Sequence, residues 1–135
     1  MLATRNRLRT AADFSTTVRS GVRNGRRNVV LYAAAIAADE PSRIGFIVSK
    51  SVGNAVVRNL VKRRLREAGA ASLSEYGTGL AIVVRALPAS ASASWAQLLA
   101  DYNAALDSTV ARLAARARAA DPGPAGTTQE GTPRA

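Results

Sequence analysis

The chain has 135 residues, room for one compact domain but not two. It holds no cysteine and no histidine, which excludes disulfides, thiol nucleophiles, Cys/His zinc sites and imidazole acid–base chemistry. Lys plus Arg is 19 against 9 Asp plus Glu, a net charge of +10.

The placement of that charge says more than its size. Residues 1–66 carry 14 cations and 3 anions, whereas residues 67–135 carry 5 and 6. A polyanion-binding face concentrates charge in this way. Arginine supplies 17 of the 19 cations. A GC-rich coding bias accounts for Arg over Lys, but not for the clustering. Hydrophobic residues make up 47% and aromatics 4%, which predicts a small core of Val, Ile and Leu with alanine-rich helix surfaces. The N-terminus has no apolar signal segment, and no run of about 18 apolar residues occurs, so a soluble, cytoplasmic protein is expected with no membrane partner.

In chain order, residues 1–12 read as a basic arm containing Arg5, Arg7 and Arg9. A short helix is expected from Asp13 to Ser20, ended by Gly21. The β-rich run Asn28 to Ile36 and the alternating run Arg43 to Ser49 read as strands. The polar loop Asp39-Glu40-Pro41-Ser42 between them suggests an antiparallel hairpin. A second helix is expected from Asn54, its N-cap, to Ala68, stopping before Gly69. A third strand runs from Leu80 to Leu87, and Pro88 halts it. The last helix starts near Ser94, with Gln97 completing a capping box. Its apolar stripe (Trp95, Leu98, Leu99, Tyr102, Leu106, Val110, Leu113) is read as a cover for the sheet. Residues 1–119 thus form one α/β domain. Residues 120–135, reading DPGPAGTTQEGTPRA from Asp121, are expected to be a disordered tail.

The segment Lys50–Arg66, KSVGNAVVRNLVKRRLR, carries the functional signal. At about 100° per residue, Arg58, Lys62 and Arg66 line one face, with Asn59 and Arg63 beside them. Val57, Leu60, Val61 and Leu65 take the other side. Arg64 falls among them and is expected to lay its stem on the core and its charge outward. No acidic residue interrupts the basic face. Like charges on adjacent helical turns cost about a few tenths of a kcal/mol per pair. A phosphate backbone that neutralises them removes that cost and releases counterions. A solvated face without a partner is the plainer reading. An unmixed Arg/Lys face with interleaved Asn favours nucleic acid.

The run Gly53-Asn54-Ala55-Val56, Arg58-Asn59, Lys62-Arg63 and Arg66 resembles the signature of the protein subunit of bacterial ribonuclease P. Arg5-Asn6-Arg7-Leu8, Asp13-Phe14, Val30-Leu31-Tyr32 and Gly45 through Lys50 fit the same family in order, so the resemblance spans about residues 5–115. It implies an α+β fold, a small α/β sandwich in order α-β-β-α-β-α, with the basic helix in a left-handed βαβ crossover. It further implies that a large RNA, using bound magnesium, cuts the 5′ leader from precursor tRNA, while the protein binds no cofactor itself. The protein binds that catalytic RNA and the leader, and no protein partner is required. Carried over by position, Arg58, Asn59, Lys62, Arg63, Arg66, Gly53, Asn54 and Lys50 would face the catalytic RNA. The arm residues Arg5, Arg7 and Arg9 would join them. Phe14, Tyr32, Ser49 and Arg85 would line a cleft for the single-stranded leader, the aromatics offering stacking surfaces. Leu60 stands where the family often has arginine, and Val18 where it often has a second aromatic.

Two other classes compete. A general ribosomal or chromosomal basic protein could use the same helix. A self-sufficient nuclease would need a general base or a metal cluster, and the nine scattered acidic residues supply neither.

Overall fold

The computed structural model describes residues 2–120; the tail expected from residue 120 lies outside them except for Ala120, which ends the last helix. A helix α1 (Ala11–Ser20) leads into strands β1 (Val22–Gly25), β2 (Val29–Ala35) and β3 (Arg43–Ile47). Helix α2 (Ala55–Ser72), strand β4 (Leu80–Ala86) and the long helix α3 (Trp95–Ala120) follow. The sheet order is β1-β2-β4-β3, with β3 and β4 parallel and the other pairs antiparallel.

The expected hairpin between β2 and β3 does not form, because β4 lies between them. The loop that joins them instead bonds the approach to β4: Ser42 N–H donates to Gly77 C=O and Gly79 N–H to Glu40 C=O, both at 2.9 Å. The sequence pattern carries the reason. Val29, Val30 and Leu31 are all buried, so β2 is apolar on both faces and belongs in the middle of a sheet. The true hairpin is β1–β2, closed by Arg26 N–H to Val29 C=O at 2.8 Å. β1, only four residues long, was not expected.

Side chains of Leu31, Ala33, Ile44, Ile82 and Val84 face α2 and α3 and form the core with Val61, Leu65, Leu98 and Tyr102. Tyr102 is fully buried; its hydroxyl meets Ser72 Oγ at 2.9 Å, and burial pushes its pKa up to about 12. The helices begin as their caps dictate. Asn54 Oδ1 accepts Val57 N–H at 3.0 Å, and Ser94 and Gln97 exchange reciprocal bonds of 2.9 and 3.1 Å. Helix α2 runs on past its expected stop. Gly69 is where it crosses the sheet: a Cβ there would lie 3.1 Å from the Phe46 ring and 3.3 Å from Ile44 Cδ1. The glycine provides room rather than a terminus.

α1 lies on the opposite face, where its Phe14 ring covers Gly45. The hand of the β3–α2–β4 crossover follows from Ile44. Its side chain faces α2, while its carbonyl points away from β4 to Leu8 N–H, at 3.2 Å. In an extended L-chain running upward, a residue whose side chain faces the viewer has its own N–H and C=O on the right. β4 is therefore on the left as seen from α2, and the crossover has the rare left hand.

Both outer strands are occupied along their free sides. The arm docks on β3 through an Arg7–Ile44 parallel bridge, anchored by buried Leu2 and by Asn6 Nδ2 donating to Ser42 C=O at 2.8 Å. At β1, Arg112 donates to Arg23 C=O at 2.6 Å, and Arg116 donates to Ser20 C=O at the end of α1 at 3.2 Å.

Candidate RNA-binding site

The basic face of α2 is present as its periodicity demands. Val61 and Leu65 are buried, whereas Asn59, Arg63 and Arg66 are exposed and Arg58 and Lys62 are half-buried. Arg58 is held in place by Nε donating to Gly53 C=O at 3.1 Å. Gly53 leaves room there: a Cβ would crowd Val57 at 3.0 Å, so the Val57 side chain would have to give way. Asn54 engages its carbonyl oxygen in the helix cap, and its side-chain amide N–H groups are left to donate to a ligand. Leu60 is half-buried. Arg64 does lay its stem inward, but its guanidinium is not left in water: Nη1 donates to Ala93 C=O at 3.0 Å, tying α2 to the start of α3.

The second group of expected residues lies on the other face of the sheet. Tyr32, Val83 and Gly45 stand side by side in register, and Val30, Arg85 and Ile47 form the next row. Phe14 of α1 covers Gly45, and Tyr32 is half-buried beside it. Arg85 is exposed. Ser49 and Lys50 are exposed just beyond β3, where Ser49 Oγ meets Ser51 Oγ at 2.7 Å. The four residues Phe14, Tyr32, Ser49 and Arg85 therefore border one open face, with α1 as its wall.

The structure does not bring the two groups together. β3 separates them: Ile44 and Phe46 support α2, and the alternate residues Gly45 and Ile47 floor the open face. Two contributors had escaped notice. Arg23 is exposed on the open face, opposite Tyr32, on the strand that had not been expected. Gly45 is the floor on which Phe14 rests; a lone glycine inside an apolar strand signals such a close approach. Arg5, Arg7 and Arg9 are exposed along the docked arm. Among the described residues, no group of three or more Asp, Glu, His or Cys converges on a metal-sized site, and no helix is long and apolar enough to cross a membrane.

A sheet carrying an amphipathic basic helix on one face and aromatic and arginine side chains on the other defines a small α+β nucleic-acid-binding protein. The comparisons with known proteins narrow the class. The family model described as Ribonuclease P matches residues 2–110. The chain is 86% identical, over 136 aligned positions and the whole of both chains, to the ribonuclease P protein component of Pseudarthrobacter chlorophenolicus. It is 56% identical over 114 positions to that of Kocuria rhizophila, covering 84% of this chain and 100% of the other. The solved structure of the Staphylococcus aureus RNase P protein matches with a TM-score of 0.68 and 27% identity, over 76% of this chain and 93% of that one. The chain belongs to the ribonuclease P protein family: it is the protein subunit of an RNA-processing endoribonuclease and partners that enzyme's RNA subunit. The reading as a general ribosomal or chromosomal protein is set aside.

Proposed function

We propose that this chain grips the catalytic RNA with the α2 face and the N-terminal arm, and holds the 5′ leader of precursor tRNA on the opposite, open face. Arg58, Asn59, Lys62, Arg63, Arg66, Lys50 and the Gly53-Asn54 turn contact the catalytic RNA, with Arg5, Arg7 and Arg9 beside them. Phe14 and Tyr32 stack on unpaired leader bases, while Arg85 and Ser49 hold leader phosphates. Cleavage belongs to the RNA and its magnesium ions, in the cytoplasm. The protein raises substrate affinity, and by supplying fixed cations it lowers the magnesium needed to screen RNA–RNA repulsion.

The observation that carries this reading is the division of labour across β3. One face offers cations at helical spacing, suited to a folded RNA backbone. The other offers π-surfaces with isolated cations, suited to a single strand.

Reconstitution tests it. Purified protein alone should leave precursor tRNA intact, and should restore cleavage at low magnesium when mixed with its cognate catalytic RNA. A mixture no faster than RNA alone would refute the proposal. Exchanging Arg58 and Lys62 for alanine should weaken RNA binding and flatten the slope of log affinity against log salt by about 1–2. An unchanged slope would remove α2 from the interface.

A further inference from the structure

We propose that the docked arm and β3 together build a dedicated phosphate pocket that extends the catalytic-RNA interface around the outer edge of the sheet. The inference rests on the proposed RNA contact of α2 and the arm. It adds a built site and a residue, Arg43, that the sequence pattern had placed only on a strand.

A cavity of about 490 Å³ is lined by Arg5, Arg7 and Arg9 of the arm, Arg43 of β3, and Thr10 and Asp13 at the start of α1. Four arginines and one aspartate thus line the same cavity. All four arginines are exposed, so the pocket is open to a macromolecule. Thr10 Oγ1 accepts Asp13 N–H at 3.0 Å and keeps its O–H as a donor; Arg7 spends Nε on Leu2 C=O at 3.2 Å and keeps its terminal nitrogens, so hydroxyl and guanidinium donors line the pocket together.

The convergence is held by structure rather than by chance contacts. Arg43 is fixed by its register with Ala81 on β4. The arm is fixed by Leu8 N–H to Ile44 C=O at 3.2 Å, by Asn6 Nδ2 to Ser42 C=O at 2.8 Å, and by Leu2, which is only 3% exposed. A core leucine and a buried asparagine therefore hold like charges near one another. Repulsion among these exposed charges is screened and partly offset by Asp13, but the cations outnumber that carboxylate, and planar guanidinium forks match phosphate oxygens bidentately.

Continuity decides which phosphate. A second depression, on the side of the sheet that carries α2, is lined by Arg7 together with Arg66, Ile44 and Phe46. Arg7 therefore borders both depressions and joins the pocket to the basic face of α2. Arg43 also borders a depression on the α1 side, but there it meets the carboxylates of Asp13 and Glu40, which disfavour a phosphate; the ligand is therefore assigned to a backbone phosphate of the catalytic RNA.

The test uses the full chain, its cognate catalytic RNA and a salt series, with Arg43→Ala, Arg43→Lys and Arg9→Ala beside Arg58→Ala. Arg43→Ala should weaken RNA binding about 5- to 10-fold and lower the salt slope by about one phosphate contact. Arg43→Lys should recover part of the affinity, since it keeps the charge but loses the fork. Arg9→Ala, in the exposed arm outside any strand, should show the same loss without touching the sheet, so a misfolded Arg43 variant cannot imitate the result. Wild-type affinity and slope for Arg43→Ala and Arg9→Ala, with Arg58→Ala impaired, would overturn the pocket and the Arg9 contact and leave the α2 part of the parent reading standing. If Arg58→Ala is also unimpaired, both fail. A loss seen only with long-leader precursor tRNA in the holoenzyme, and not with catalytic RNA, would assign the phosphate to the leader and overturn the inference.

Discussion

Replacing Gly45 with alanine puts a methyl group where the Phe14 ring now lies. The β3 backbone cannot retreat, because it pairs with β4 on one side and the arm on the other. The ring or all of α1 must move instead. Forcing a methyl into a filled space costs about 1–3 kcal/mol, offset slightly by the better strand propensity of alanine. For a domain of this size that is a fall in melting temperature of about 3–15 °C. The diagnostic quantity is the coupling with Phe14. In the wild type, Phe14→Ala removes a half-buried ring from the sheet and should be destabilising. In the Gly45→Ala background it should relieve the clash, so the double variant is about 1 kcal/mol or more better than the two single effects predict. Urea unfolding of the four proteins measures this. Affinity of the reconstituted holoenzyme for long-leader and short-leader precursor tRNA supplies the functional counterpart, and Gly45→Ala should lower only the long-leader advantage. Strictly additive stabilities, or a leader dependence that survives ring displacement, would refute the placement of Phe14 on Gly45 as the cleft floor.

Asp101 Oδ2 accepts both the backbone N–H and the side-chain Nδ2 of buried Asn28, at 3.0 and 2.9 Å. Asp101→Ala strands those donors and should cost about 2–4 kcal/mol in urea unfolding, with Asp101→Asn intermediate. Tyr102 has its phenol pushed up to about 12 by burial, from an ordinary value of 10.0, with its bond to Ser72 opposing the shift. The folded state therefore favours the neutral phenol, so its contribution is intact below pH 10 and is lost as pH rises toward 12. A loss of roughly 3 kcal/mol over that window is expected, and Tyr102→Phe should flatten that alkaline limb of the pH–stability curve. Tyr76 is raised to about 12 chiefly by its hydrogen bond to Asp107. That bond is exposed and should add little.

The features that were legible in the sequence are those fixed by neighbours a few residues away. The Asn54 cap, the Ser94–Gln97 box and the amphipathic division of α2 all depend on residues within one or two helical turns, and all stand as expected. The features that were not legible depend on distant partners. β1 is too short to show alternation and exists because β2 offers it a partner. The β2–β3 loop looks like a hairpin until β4, some forty residues later, takes the position between them. Gly69 reads as a helix stop because its reason, the Phe46 ring against it, lies in another element. The same applies at the candidate site. The basic helix announces itself by period, whereas Arg43 joins Arg5, Arg7 and Arg9 only through the docking of the arm.

The covering of the two outer strands has a consequence for a cationic protein that meets a polyanion. An uncovered strand is a template for another chain, and repulsion between highly cationic copies vanishes once a polyanion screens it. Here the protection does not rely on charge alone. The arm lies along one border of the sheet, and at the other Arg112 takes up the Arg23 carbonyl of β1 while Arg116 takes up that of Ser20 just before the strand. RNA can therefore neutralise the molecule without exposing a surface that would zip protein to protein. Cutting away the first eight residues should remove that safeguard at β3, and aggregation on adding RNA would be its visible sign.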